Sequence, residues 1–235
     1  MSTQNFNNLL ESFDKFHELL LLVHHTLNLK KGSFLFTEGM PAKEIYVIKS
    51  GKIQVSKVTP DGKELTLRIC SVNEIVGELT LFTKDPKYLL NAKVIEDCEV
   101  GVIKKDVLEE ELFHNNQLSI EYMKWMSDHF RRTHTKFRDL VMLGKKGALY
   151  STLIRMTNSY GIKTTNGILI DMYLTNQILA NFCGTTRESI NRMLSELRKN
   201  NILTIQSGKI TIQDLGYLKK EVGCENCDAK YCTIE

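Results

Sequence analysis

One stretch without glycine or proline, residues 106–143, constrains this chain most because it predicts a long helix in mid-sequence. Apolar side chains recur along its second half in steps of three and four, the spacing of a coiled-coil seam. Packing against the rest of the same chain is the alternative, but so narrow a seam favours pairing between two helices. We therefore predict a dimerisation helix over residues 106–143 with the seam Met123, Met126, Phe130, Thr133, Phe137 and Leu140.

The residues before this helix have the pattern of β-strands. From Phe34 onwards, short runs rich in valine, isoleucine and tyrosine alternate with turns that contain glycine. Asp61 and Gly62 supply the backbone conformation that a tight hairpin turn requires. Residues 1–105 are therefore predicted to form an N-terminal helix and a β jelly-roll barrel.

The residues after the helix, 144–220, have the pattern of a winged helix-turn-helix. Thr175 is predicted to cap one helix, Cys183 and Gly184 to form the turn, and Thr185 or Thr186 to cap a second helix. Two short strands then predict a wing. The expected fold class is α+β, and residues 221–235 form a separate cysteine-rich tail.

The second helix of this motif carries a charged face and an apolar face. Arg187, Glu188 and Arg192 lie on the outward side within its first two turns. Arginine offers a bidentate fork to guanine, and glutamate accepts a hydrogen bond from cytosine. The pattern therefore predicts a recognition helix that reads double-stranded DNA in the major groove.

Composition excludes several other classes of protein. The chain has 235 residues, of which 42% are hydrophobic, and its net charge is only +3, which is a globular composition without a strong basic bias. No apolar stretch approaches the roughly eighteen residues of a membrane span, and no secretory signal is visible. No catalytic triad, paired carboxylates or phosphate-binding loop occurs. We expect a cytoplasmic protein that is not an enzyme.

The tail concentrates three of the six cysteines, Cys224, Cys227 and Cys232. In a reducing compartment such a cluster indicates a metal or redox site more than a disulfide framework. The spacing leaves four interpretations open: an iron–sulfur site, a zinc site, a thiol switch or an inert tail. Either metal site would need a fourth ligand from elsewhere in the chain.

The strand order and the segment "GELTLF" resemble the cyclic-nucleotide-binding domain of the Crp/Fnr regulators. In that family a glutamate and an Arg-Ser pair hold the cyclic nucleotide. Glu78 matches the glutamate, whereas the pair falls on Tyr88 and Leu89, which cannot supply charged donors to a phosphate. Lys87 is the only nearby cation that could bind the phosphate in place of the missing arginine. The resemblance therefore implies the barrel without a bound cyclic nucleotide.

The segment "TTRESINRML" resembles the recognition helix of the Crp branch. The resemblance implies that Arg187, Glu188 and Arg192 read the bases of a palindromic TGTGA-type site, and that Ser189 and Thr186 contact phosphates. The two-fold symmetry of the predicted dimer implies two half-sites one helical turn apart. We expect RNA polymerase as a further partner. The hairpin at Asp61 and the wing are candidate polymerase contacts.

The segments "DGKELTLRIC", "IVGELTLFT", "EYMKWMS", "GKKGALYSTLIRMTNSYG" and "CENC" resemble the Bacillus-type Fnr anaerobic regulators. The resemblance implies one [4Fe–4S] cluster per subunit, held by Cys224, Cys227, Cys232 and Asp139. It also implies a dimeric, oxygen-responsive regulator, mainly an activator, of anaerobic metabolism genes. Without the resemblance, Asp139 would be an exposed carboxylate paired with Arg138 or Lys136.

The alternative function is a Crp-type regulator with another effector, in which the tail cysteines bind zinc or act as a thiol redox switch.

Overall fold

The structure is a computed structural model that describes residues 19–225 and 227–234. The N-terminal helix predicted before the barrel falls mostly on residues 1–18, outside the described residues. The described chain divides into two compact units. The barrel unit comprises the residues up to Val58 together with Arg68–Met126, and the C-terminal unit comprises Thr59–Leu67 together with the residues from Ser127 onwards.

The barrel unit is built on a six-stranded sheet. The strands are β1 His25–Leu29, β2 Phe34–Phe36, β3 Glu44–Val58, β4 Glu64–Cys70, β5 Ile75–Val76 and β6 Asn91–Lys104. Strands β1, β2 and β3 each pair antiparallel with β6, and β5 pairs antiparallel with β3. Register shifts interrupt the long β3–β6 ladder and mark bulges that bend it.

Alternation along β3 explains why this sheet has two apolar faces. Tyr46 and Ile48 belong to one buried cluster, whereas Ile45 and Val47 belong to a second cluster. Successive side chains of a strand point to opposite faces, so a fully apolar run covers both. The second cluster also contains Leu108, from the first helix after the sheet, so that helix packs on this face.

The stretch predicted as one helix consists of two, α1 Lys105–His114 and α2 Asn116–Met142. The backbone of Asn115 is extended, and its side-chain oxygen accepts a hydrogen bond from the N–H of Leu118 at 3.0 Å. Asn115 therefore caps the start of α2. The prediction of an unbroken helix from residue 106 was wrong here, because an asparagine can start a new helix without glycine or proline.

The C-terminal unit contains the predicted winged helix-turn-helix. The elements are α3 Gly144–Tyr160, β7 Gly161–Thr164, β8 Gly167–Ile170, α4 Asn176–Phe182, α5 Arg187–Lys199, β9 Leu203–Gln206, β10 Lys209–Ile212 and α6 Leu215–Glu221. The four-stranded sheet has the order β7-β8-β10-β9. The predicted wing, β9 and β10, therefore continues a sheet whose first two strands the sequence did not predict.

The turn chemistry predicted for this motif is present. The side chain of Thr175 accepts a hydrogen bond from the N–H of Ile178, and Thr186, not Thr185, caps α5 through the N–H of Ser189. Gly184 has a φ of +56°, the left-handed conformation that glycine adopts without a Cβ penalty. The predicted α+β class, with an antiparallel sheet, a long helix and a helix-turn-helix, is confirmed.

Within the described residues, no helix is both long and apolar enough to cross a membrane.

Candidate DNA-binding surface and cysteine-lined cavity

Helix α5 separates its polar and apolar side chains as predicted. Arg187, Glu188 and Arg192 are exposed. The opposite side holds the helix in the unit, because four of its side chains are 9% exposed or less: Ile190, Met193, Leu194 and Leu197. Two arginines and one carboxylate are therefore accessible to an external partner, on a helix whose opposite side is packed into the unit.

The two predicted phosphate contacts lie at the start of this helix. The hydroxyl of Thr186 accepts the N–H of Ser189 and donates to the hydroxyl of Ser189 at 3.2 Å. The N–H of Glu188 itself and the Thr186 hydroxyl hold the pKa of the Glu188 carboxyl below its ordinary value. Thr186 therefore stabilises the helix start, and its contact with phosphate stays a prediction.

The predicted seam of α2 is largely exposed in the single chain. Met123, Phe130 and Phe137 are 61%, 68% and 64% exposed. Thr133 is exposed and Leu140 is half-buried, whereas Met126 packs against the second cluster of the barrel unit. Ile120 and Val141 are also exposed, at helical spacing before and after these residues. Exposed apolar side chains in a stripe mark a surface for a partner.

The barrel unit contains a small cavity where the resemblance places a nucleotide, with a volume of about 20 Å³. Tyr88 fills this space. Its ring stacks on Phe36 with centroids 3.7 Å apart, and its hydroxyl donates to the carbonyl of Glu44 at 2.7 Å. Leu89 is 58% exposed. The position of the expected Arg-Ser pair therefore holds a side chain that occupies the site itself.

A buried ion pair lines the same cavity. The Nη2 atom of Arg68 donates to both carboxylate oxygens of Glu78, at 2.9 and 3.0 Å, and both side chains are almost fully buried. Lys87 is exposed and does not line the cavity. Naming Lys87 as the only nearby cation was wrong, because Arg68 of β4 lines the cavity.

The C-terminal unit contains a larger cavity, of about 220 Å³. All four predicted cluster ligands line it: Cys224, Cys227, Cys232 and Asp139. Asp139 comes from α2, and the cysteines come from the tail. The cavity therefore brings together residues that are far apart in the chain.

Asp139 is buried, and it contacts Arg155 and Ser151, two partners that the sequence did not predict. Its Oδ2 accepts hydrogen bonds from Arg155 at 2.8 Å and from Ser151 at 2.6 Å, while its Oδ1 accepts two from Arg138, at 3.0 and 3.2 Å. Burial raises the pKa of the carboxyl, but these donors outweigh burial and hold it below its ordinary value. The carboxylate is therefore ionised at neutral pH.

Lys136 is not a partner of Asp139. Its ammonium donates to the backbone carbonyls of Thr66 and Leu67, at 3.0 and 2.6 Å, and lies over the ring of Phe182. Burial lowers the pKa of this lysine to about 7. Of the two partners considered for an isolated carboxylate, only Arg138 contacts Asp139, and the carboxylate is not exposed.

The three tail cysteines differ in exposure. Cys224 and Cys232 are half-buried and Cys227 is exposed, and all three are free thiols. Burial, foremost, raises the pKa of Cys232. Among the described residues, no three histidine, cysteine or acidic side chains lie close enough together to hold a metal ion.

The lining nevertheless fits a cluster in its donor set. Three thiols and one carboxylate face a common cavity, and thiolates are the usual ligands of iron–sulfur clusters. The thiols would have to converge. Oδ1 of Asp139 is the oxygen that can exchange its hydrogen bonds for a ligand, because its partner Arg138 is more exposed than Arg155.

Two family descriptions match the chain. Residues 26–115 match the cyclic nucleotide-binding domain, and residues 147–221 match the Crp-like helix-turn-helix domain. The helix-turn-helix match coincides with the exposed recognition surface of α5.

Similar proteins are transcription regulators and not enzymes. The chain is 54% identical to the "Anaerobic regulatory protein" of Bacillus subtilis, over 93% of this chain and 92% of the relative. It is 31% identical to the "Lactate racemization regulatory protein" of Lactiplantibacillus plantarum, over 86% of this chain and 94% of the relative.

The fold is also similar to that of solved structures. FixK2 from Bradyrhizobium japonicum superposes with a TM-score of 0.71 at 18% identity, covering 83% of this chain and 96% of the other. Together the matched domains and relatives imply DNA binding and a dimer. The chain belongs to the Crp/Fnr family of DNA-binding transcription regulators.

Proposed function

We propose that this protein is an oxygen-responsive regulator, mainly an activator, of genes for anaerobic metabolism, and that it carries one [4Fe–4S] cluster per subunit. One observation carries the proposal: the three tail cysteines and Asp139 line a single cavity. The similarity to a protein named for anaerobic regulation supports the same conclusion. Since the protein acts on DNA, we expect it in the cytoplasm.

Cys224, Cys227 and Cys232 would hold the cluster as thiolates, with Asp139 as the fourth ligand. When bound, the cluster supplies a coloured, oxygen-labile group. Asp139 would offer Oδ1 while its Oδ2 keeps Arg155 and Ser151. Arg138 can give up Asp139 because it already has a second partner, the carboxylate of Glu225 at 2.8 Å.

The loaded site would tie the tail to the end of α2, since Asp139 belongs to that helix and the cysteines to the tail. The tie would favour the arrangement of two recognition helices that engages both half-sites of a palindrome. Oxygen would release the tail. DNA affinity would then fall, because the two recognition helices would have to be ordered at binding.

At each half-site the base-reading side chains would be Arg187, Glu188 and Arg192. They are exposed, and each well-formed bidentate contact contributes about 1–3 kcal/mol of discrimination. Ser189 and Thr186 would position the helix on phosphates. RNA polymerase would be contacted elsewhere, with the hairpin at Asp61 and the wing as candidate surfaces.

The exposed seam of α2 would form the dimer without iron, because its apolar side chains do not belong to the cysteine-lined cavity. We therefore expect the cluster-free protein to be a dimer in solution. If the cluster-free protein is a monomer and the loaded protein is a dimer, the seam does not form the dimer without iron and this expectation is wrong.

The test is anaerobic purification followed by visible spectroscopy and by iron and sulfide analysis. We expect a broad visible absorption band that air bleaches, and DNA affinity that falls with it. Cys227→Ala should abolish the band, whereas Cys98→Ala, a buried thiol of the barrel, should keep it. Stoichiometric zinc without colour, or colour retained in Cys227→Ala, would contradict the proposal.

A further inference from the structure

The segment that carries Cys232 is attached to α3 by contacts that need no metal. Ile234 is 1% exposed, and its N–H donates to the hydroxyl of Ser159 at 3.0 Å. The side-chain amide of Asn158 donates to the carbonyl of Cys232 at 2.7 Å. Arg155 donates to the carbonyl of Tyr231 at 3.2 Å. Three hydrogen bonds and one buried side chain thus hold the backbone on both sides of Cys232.

The local backbone before Cys232 is also ordered by its own hydrogen bonds. Ala229–Tyr231 forms a 3₁₀ turn, and the N–H of Cys232 donates to the carbonyl of Ala229 at 3.0 Å. The side chain of Asp228 accepts the N–H of Lys230 and caps this turn. The N–H and the carbonyl of Cys232 are therefore both engaged, which fixes the base of its side chain.

Cys224 is held at the other side of the cavity by the end of α6. Its N–H donates to the carbonyl of Lys219 at 2.9 Å, and Gly223 before it has a φ of +57°. A left-handed glycine with such bonds is a usual way to end a helix. Cys227, between the two fixed cysteines, is exposed.

We infer that Ile234, Asn158 and Ser159 form an anchor that positions Cys232 on α3 before any cluster is bound. The role of Cys232 as an iron ligand rests on the proposed function. The anchor itself rests on the contacts above. Pre-positioning Cys224 and Cys232 lowers the ordering cost of loading, because fewer ligands remain to be ordered when the group binds.

The anchor can be tested in iron-free, full-length protein by the rate at which iodoacetamide alkylates each thiol. Cleavage after Lys220 and Lys230 places Cys232 in its own peptide, apart from Cys224 and Cys227. Fragmentation in the mass spectrometer resolves the other two. Alkylation needs a thiol that solvent can reach, so its rate reports whether the segment is held on α3.

Two variants remove the anchor in different ways. Ile234→Ala removes a buried apolar side chain, and Asn158→Ala removes the hydrogen bond to the carbonyl of Cys232 without touching the core. Ile162→Ala is the matched control, because it makes the same change at a side chain that is 49% exposed on β7. Circular dichroism confirms that each variant is folded.

In wild-type protein we expect Cys232 to be alkylated more slowly than Cys227. In Ile234→Ala its rate should rise about tenfold, because the loss of a buried isoleucine opens the segment, while the rate of Cys227 stays the same. Asn158→Ala should raise the alkylation rate of Cys232 by a smaller factor, and Ile162→Ala should leave that rate unchanged. Equal rates for Cys232 and Cys227 in wild-type protein would overturn the anchor.

Anaerobic reconstitution with iron and sulfide tests the positioning role separately. Both anchor variants should show about tenfold weaker iron affinity, the usual effect of losing a partner that orients a ligand. If alkylation rises but iron affinity stays at the wild-type value, the positioning role is wrong. If wild-type protein takes up no iron, the proposed function fails and the positioning role with it, while the alkylation rates still decide whether the anchor exists.

Discussion

The cavity of the barrel unit and the cavity of the C-terminal unit both contain a buried pair of arginine and carboxylate, but they differ in what surrounds it. In the barrel, Arg68, Glu78 and Tyr88 line a cavity of only about 20 Å³. In the C-terminal unit, Arg155 and Asp139 border about 220 Å³ lined by three thiols. The first site is closed by its own side chains, and the second is open to a ligand.

The two carboxylates also differ in how their oxygens are satisfied. A buried charge must keep a partner, because an unpaired one costs several kcal/mol of desolvation. In the barrel, both oxygens of Glu78 bind Arg68, so the carboxylate is satisfied internally. In the C-terminal unit, Asp139 has one oxygen on the buried Arg155 and the other on the half-exposed Arg138. Only the second arrangement leaves an oxygen that can exchange partners.

The largest effect should come from opening the closed site. Tyr88→Ala removes a ring that is 4% exposed and stacked on Phe36, and it should lower the free energy of unfolding by about 3–5 kcal/mol. Urea denaturation measures this loss. Tyr88→Phe keeps the ring and should cost only about 1 kcal/mol, the hydroxyl's hydrogen bond. Equal stability of Tyr88→Ala and wild type would mean that the ring does not fill the cavity.

A smaller loss should follow from Asp139→Ala in iron-free protein. Removing the carboxylate leaves the buried charge of Arg155 unpaired, which should lower the free energy of unfolding by about 3 kcal/mol. Asp171→Ala breaks a half-exposed pair with Lys209 and should cost less than about 1 kcal/mol. If thermal denaturation shows the same loss in both variants, the pair at Asp139 does not support the unit.

The third prediction is a difference between the alkylation rates of thiols in the two regions. Burial raises the pKa of Cys98, in the barrel, to about 11, whereas Cys227 is exposed in the tail. Only the thiolate reacts, so a raised pKa lowers the reactive fraction at neutral pH. Cys98 should be alkylated about 100-fold more slowly than Cys227, and its rate should keep rising as the pH approaches 11. Equal rates at neutral pH would show that the barrel opens readily.

The smallest effect should be that of a cyclic nucleotide. Because Tyr88 and the Arg68–Glu78 pair occupy the site, millimolar cyclic AMP should leave the melting temperature of the wild-type protein unchanged. A ligand present at about 100 times its Kd would add about 2.7 kcal/mol, which is readily seen. A concentration-dependent rise would mean that the ring of Tyr88 yields to a ligand.

The features predicted correctly from the sequence depend on residues close together in the chain. Thr175 and Thr186 cap helices through N–H groups three residues ahead, and the alternation in β3 follows from neighbouring side chains. The prediction of an unbroken helix from residue 106 was wrong, because the sequence does not distinguish the helix cap at Asn115 from an ordinary surface asparagine.

The side-chain contacts that the sequence did not predict join residues of different secondary-structure elements. Arg155 reaches Asp139 from another helix, and Ile234 reaches Ser159 from the tail. Arg68 reaches Glu78 across the barrel cavity. Their residue types carry no periodic or spacing signal, because a buried ion pair or an apolar anchor is defined by its partner and not by its neighbours.

By itself, the sequence determined the two-part α+β organisation, the recognition helix and the crowding of three thiols in the tail, because helices, caps and alternation depend on short separations. Only the tertiary structure decided that Tyr88 closes one cavity, that Asp139 is buried beside Arg155, and that the segment of Cys232 is anchored on α3. The reason is that burial and ionic pairing depend on which distant segments the folded chain brings into contact.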